Sequence, residues 1–219
     1  MSAPNGIPLA DTSDMASLHQ VFRDALDGAP NYVGSAAVGD GARSELVGSY
    51  YDNVLRLLHV HHEGEDELLT PRLIERNPDQ AELISRIAHQ HEGVLEGIGA
   101  AEAAVAQWRS EPSEDNRGAA VAALAGLNGS LIPHLDEEEL EIVPIAATCI
   151  NAAEWGELPA HGMRTFTGDK VWLILGLIRE QMSPAKLAEM DANMPPPVVE
   201  FWTNQGKGLF EQYVGELRG

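Results

Sequence analysis

His61-x-x-x-Glu65 and His134-x-x-x-Glu138 share one spacing, and a proline, Pro71 or Pro144, lies ten residues after each histidine. A four-residue gap sets imidazole and carboxylate one turn apart on the same helix face. Two such pairs, joined by single histidines from two other helices, make a nitrogen and oxygen shell large enough for two metal ions. A shell of that kind needs several helices held in register.

The chain reads as helices, since alternating β-branched runs are absent and Ala, Leu, Glu and Ile recur at helical spacing. A first helix is expected from the cap cluster Asp11-Thr12-Ser13 to about Asp27, with Met15, Leu18, His19, Phe22 and Leu26 on its inner stripe. GAPNYVGSAAVGDG reads as a loop. The second helix is expected from about Ala42 to Glu75, and Asn77-Pro78 marks a turn. A third carries Leu83, Ile84, Ile87, Val94, Leu95 and Ile98 as far as Trp108, where Glu111-Pro112-Ser113 breaks the chain. The fourth runs from about Glu114 to Cys149, and Pro133 should bend it. The expected fold is all-α, an up-down-up-down four-helix bundle over residues 1–150 with a C-terminal helical extension over 151–219. In that extension Asp169–Met182, a helix from Ser183-Pro184 and a last helix from the Pro195–Pro197 run to about Arg218 are expected. Trp172, Phe201, Trp202, Phe210 and Tyr213 should anchor it on the bundle or at a homodimer interface.

Antiparallel helices mirror the sequence about each turn, so residues equidistant from a turn share a height. The midpoints of His19/His61, His61/His91 and His91/His134 fall at residue 40, at residue 76 and between Pro112 and Ser113. Each lies in or beside an expected turn, so the four histidines should share one level. His91 continues the stripe of Ile84, Ile87, Leu95 and Ile98, whereas His89 shares its side with Glu82, Ser85, Arg86 and Glu96 and reads as solvent-facing. His134 continues Leu124, Leu127 and Leu131. Helix two is ambiguous, because His59, His61 and His62 crowd together. The shared proline spacing favours His61 with Glu65, leaving His62 as an outer hydrogen-bond partner or a surface cap. The expected ligand set is His19, His61, Glu65, His91, His134 and Glu138. Burying two carboxylates costs several kcal/mol each unless a cation or hydrogen bonds compensate. The other acidic residues of Glu63–Glu67 and Glu137–Glu141 read as solvated faces. Tyr50, three turns before His61, reads as a packing residue or an outer donor, and His161 as a surface loop residue.

Composition narrows the partners. Among 219 residues a net charge of −20 argues against sequence-independent affinity for nucleic acid or anionic membrane surfaces. No stretch reads as an uninterrupted apolar membrane span, and MSAPNGIPLADTSD lacks a basic start and an apolar signal core. A cytoplasmic location is the expectation. With Cys149 as the one cysteine, no intrachain disulfide or thiolate cluster can form. Imidazole with carboxylate suits iron, manganese or zinc. Six protein ligands exceed what one catalytic ion with an open position needs, and fit two ions bridged by the glutamates.

The order H, HxxxE, H, HxxxE is carried by His19, LHVHHEGEDELLTP, IAHQHEGVL and IPHLDEEELEIVP. In it the chain resembles the hemerythrin-like family, hemerythrin/HHE cation-binding proteins, over about residues 10 to 150. The resemblance implies two iron ions in an oxo- or hydroxo-bridged di-iron centre. Its partner would be a small diatomic ligand, O2 or nitric oxide, or peroxide, with weak peroxidase or catalase-like turnover as one outcome. The alternative is a non-catalytic iron or redox sensor signalling through its C-terminal helices. Oxygen-carrying hemerythrins use a fifth histidine four residues after the first on the third helix, where this chain has Leu95. The pattern is more similar to bacterial hemerythrin-like and iron-centre-repair proteins. It implies two similar ions and moves the expected role from carrying oxygen to sensing it or consuming its products.

Overall fold

The computed structural model describes residues 8–219 and, among them, consists of helices and their connecting turns, with one isolated bridge between Leu9 and Asn151. Four helices form the bundle: α1 Asp14–Asp27, α2 residues 41–76, α3 Ala81–Ser110 and α4 Glu114–Cys149. Side chains cap the starts of α2 and α4, whereas α1, despite the expected cap cluster, and α3 start without one. The Asp40 side chain accepts from Arg43 N at 2.9 Å, Ser113 Oγ accepts from Asn116 N at 3.2 Å, and the preceding Gly39 takes a φ of 81° that favours glycine. The expected loop before α2 contains one helical turn, Ala29–Tyr32, with Pro30 in its first turn. α4 runs on through Pro133, which lies on the exposed side of the helix.

Each helix packs on its sequence neighbours, and α1 also packs on α4, which closes the up-down-up-down bundle. On α3 the buried stripe is Ile84, Ile87, His91, Val94, Ile98, Ala101, Val105 and Trp108, a three-and-four spacing. Leu95, expected on that stripe, is 51% exposed. α4 is the one described helix whose length and composition would suit a membrane. Here its stripe of Ala120, Leu124, Leu127, Leu131 and Leu135 is buried in the bundle.

Beyond Asn151, whose side chain caps a short helical turn Ala152–Trp155, come α5 Glu157–Thr165, α6 Val171–Glu180, α7 Pro184–Asn193 and α8 residues 196–218. α5 had no counterpart in the sequence reading. It packs along α2, while α6 lies against α1 and α2 and carries α8. Leu173, Ile174, Leu177, Trp202, Phe210, Val214 and Leu217 join the bundle's own core, and Trp172 meets Tyr213 edge to face at 5.5 Å. Phe201, expected as an anchor, is 36% exposed. α2 is therefore covered on two sides, by the bundle and by the extension. Residues around most of its circumference, from Val47 to Leu58, are buried.

The core is split in two. One apolar cluster holds Phe22, Leu58, Val94 and Leu131; the other holds Met15, Leu69, Leu73, Ile84, Ile87 and Ile142. Between them along α1, α2, α3 and α4 lie the histidines and glutamates.

Candidate metal centre

Each HxxxE pair leads directly into a π-helical turn, Glu65–Leu69 in α2 and Glu138–Ile142 in α4. Thr70 N–H donates to Glu65 O and Val143 N–H to Glu138 O, five residues back instead of four. The prolines account for this. Pro71 and Pro144 have no N–H, and their rings would collide with the carbonyls of Glu67 and Leu140, so the helix opens by one residue ahead of them. The repeat seen in the sequence is thus a structural device: a histidine, a glutamate one turn on, and a widened turn that frees the glutamate's neighbourhood.

All six expected residues come together, and His62 comes with them. One ligand atom from each of His19, His61, Glu65 and Glu138 lies within 4.8 Å of the others, and His62, His91 and His134 form a second such group. The glutamates link the groups. Glu65 turns Oε1 to His61 Nε2 at 3.3 Å and Oε2 to His91 Nε2 at 3.7 Å. Glu138 Oε2 lies 3.4 Å from His19 Nε2 and 3.8 Å from His134 Nε2. His19 Nε2 and His61 Nε2 stand 3.2 Å apart, while His62 stacks on His91 with ring centroids 4.3 Å apart.

The far sides of three rings are tied down. His19 Nδ1 meets Glu139 Oε1 at 2.8 Å, His91 Nδ1 meets Asp66 Oδ1 at 2.8 Å, and His134 Nδ1 meets Gln90 Oε1 at 3.0 Å. A carboxylate or amide oxygen only accepts, so each Nδ1 carries the proton and each Nε2 presents its lone pair to the centre. The partners are braced in turn. Arg23 donates to Glu139 at 2.7 Å, and Gln90 and Arg86 both donate to Glu137. Those donors hold Glu137 down at about 2, and the His19 hydrogen bond, with Arg23, holds Glu139 below the usual range. Asp66 and Glu139 each follow a motif glutamate directly. These two members of the acidic runs orient histidines of neighbouring helices instead of merely facing water.

The interior of this layer is short of partners. His62 Nε2, both Glu65 oxygens, His134 Nε2 and Glu138 Oε2 are buried without a hydrogen bond. Buried polar atoms almost always have one. Burial pushes the His61 and His62 imidazoles well below their usual range and His134 to about 3, which keeps them neutral. Burial, reinforced by the charge of Glu138, pushes the Glu65 carboxyl well above its usual range. Neutral imidazoles facing buried carboxylate oxygens without partners fit cations well. The donor set, imidazole and carboxylate without thiolate, suits iron, manganese or zinc.

Several sequence readings change. His62 is 6% exposed and joins the second group, so it is not a surface cap. The signal lay in the doubled His61-His62, whose successive side chains diverge by about a quarter turn on one helix and reach both groups. His161 is not on a surface loop. It sits on α5, 5% exposed, with Nε2 donating to Glu63 Oε2 at 3.2 Å, and Gly64 leaves room for its ring. His89 faces solvent as expected, with its side chain 74% exposed. Tyr50 packs between Tyr32 and Tyr51 in the core, away from the metal groups.

Neither the curated proteins nor the solved structures compared with the chain include a match. The family model for the hemerythrin HHE cation binding domain matches residues 10–146, the span of the bundle and of every histidine and glutamate in the two groups. The chain therefore belongs to the hemerythrin HHE cation-binding family.

Proposed function

We propose that this chain is a non-haem di-iron protein that binds or reacts with O2, peroxide or nitric oxide. The observation that carries the reading is one buried layer of five imidazoles and two carboxylates, in which both Glu65 oxygens and Glu138 Oε2 have no hydrogen-bond partner. In this reading His19 and His61 would hold one iron and His62, His91 and His134 the other, with Glu65 and Glu138 facing both groups. The division is unequal, with two imidazoles against three. The expectation of two similar ions rested on Leu95 standing where a fifth histidine would be. α3 turns that position to solvent, and His62 of α2 supplies a fifth buried imidazole from a different helix.

A bound iron pair supplies Lewis acidity and electrons to a small oxidant. The chain's own residues do the rest. His19 and His91 are oriented by Glu139 and Asp66, His134 by Gln90, and the two apolar clusters on either side keep bulk water from the layer. Peroxide consumption should scale with iron content across preparations of the purified protein, measured as loss of peroxide absorbance against metal analysis. Iron-loaded protein that leaves peroxide untouched and instead changes oligomeric state with redox state would favour a sensor. One contact supports that second reading. His161 of the extension donates to Glu63, two residues from His61, so the metal-bearing turn of α2 is joined directly to the C-terminal helices.

A further inference from the structure

A small pocket opens beside the metal layer, bounded by the π turns of α2 and α4 and the first turns of α3. At its base are Glu65, Glu138 and His91, and its walls are apolar, Leu69, Ile84 and Ile142 among them. Apart from the base, Thr70 is the one polar side chain that lines it. The space is about 10 Å³, room for one water-sized group and no more, so it suits the outer end of a small ligand held at the metal layer.

Thr70 also departs from the other helical threonines. Thr148, Thr165 and Thr203 each donate the hydroxyl proton to a carbonyl three or four residues back, at 2.7, 2.9 and 2.8 Å. This is the usual use of a threonine inside a helix. Thr70 makes no such bond. It is the residue whose N–H closes the π turn on Glu65 O, and its hydroxyl stays free of the helix. The repeat supplies an internal comparison. Val143 holds the same place after Glu138, is apolar, and does not line the pocket.

We propose that the Thr70 hydroxyl is the hydrogen-bond donor to the small ligand taken up beside the metal pair, and so a specificity-determining residue for ligands with a terminal lone pair. This rests on the reading that the iron pair binds such a ligand. In an otherwise apolar pocket a single donor discriminates between ligands that can accept a hydrogen bond at their outer atom and those that cannot.

The test is a titration of iron-loaded protein with azide, followed in the visible spectrum, on wild type, Thr70→Val, Thr70→Ser and Val143→Thr. Thr70→Val should weaken azide about 5–10-fold at unchanged iron content, the loss of one hydrogen bond. Thr70→Ser should bind as wild type does, and Val143→Thr should change nothing. Thr70→Val that binds azide as tightly as wild type overturns the proposal alone. So does Thr70→Val that fails to hold iron, because the residue is then structural. Wild-type iron protein that binds no azide overturns the small-ligand reading and this proposal together.

Discussion

Replacing His62 with alanine should cut the iron content of the purified protein from two ions per chain to about one. The three-imidazole group of His62, His91 and His134 would be left with two, and the stacked His62 ring at 4.3 Å from His91 would be gone. Loss of an outer hydrogen-bond partner costs about 10–100-fold in metal affinity, and loss of a direct ligand costs more. The outcome therefore separates the two roles open to His62. Full iron content with modestly weakened affinity would make it an outer partner after all. His89→Ala is the control: that side chain is 74% exposed and paired only with Glu92, so its removal should leave iron content unchanged. Inductively coupled plasma analysis of the dialysed proteins reads both.

Glu65→Gln should act in opposite directions on the two forms of the protein. It should abolish binding of the full iron complement, because Glu65 turns a separate oxygen to each group, Oε1 toward His61 and Oε2 toward His91. In metal-free protein at pH 7 it should stabilise the fold. Burial and the Glu138 charge push the folded Glu65 carboxyl above its unfolded value. A raised carboxyl contributes stability that is present below the unfolded pKa of about 4.3. That contribution is lost progressively as pH rises from the unfolded toward the folded value, so above the unfolded value the buried carboxyl is a burden. A glutamine carries no charge and can donate to Glu138. The gain should be about 1–3 kcal/mol, or roughly 2–10 °C in melting temperature at this chain length. Adding iron should invert the order, raising wild type above the variant. The neutral histidines work the other way. His61, His62 and His134 are depressed, so their contribution is present above about pH 6.5 and lost on acidification. Melting curves of both proteins, with and without iron, at pH 5 and pH 7 check the signs. A metal-free variant that melts below metal-free wild type at pH 7 would show that the buried carboxylate is already compensated.

The helices that were most legible are those with one buried and one wet side. On α3 and α4 the apolar spacing named His91 and His134 and placed His89 outside, because solvent leaves a contrast along those helices. The mirror symmetry about each turn placed His19, His61, His91 and His134 at one height, and the two ligand groups sit there. α2 was harder for a physical reason. The extension covers the face that the bundle leaves free, so burial runs around the helix and gives no contrast between His61 and His62. Prolines at equal offsets were visible in the sequence, but the π turns they produce depend on the helix continuing past them. The partners Asp66 and Glu139 carried a faint signal as acidic residues following each motif glutamate, masked by the charge runs around them. His161 gave none, since its burial depends on α5 lying along α2.

On the proposed function, one buried layer of five histidines and two glutamates holds a pair of iron ions. Iron stoichiometry of protein expressed with iron, read together with its visible spectrum, tests this most directly. Two irons per chain, with the absorption bands of a bridged di-iron centre, is the result the structure leads us to expect. Colourless protein that takes up no iron under those conditions would contradict it.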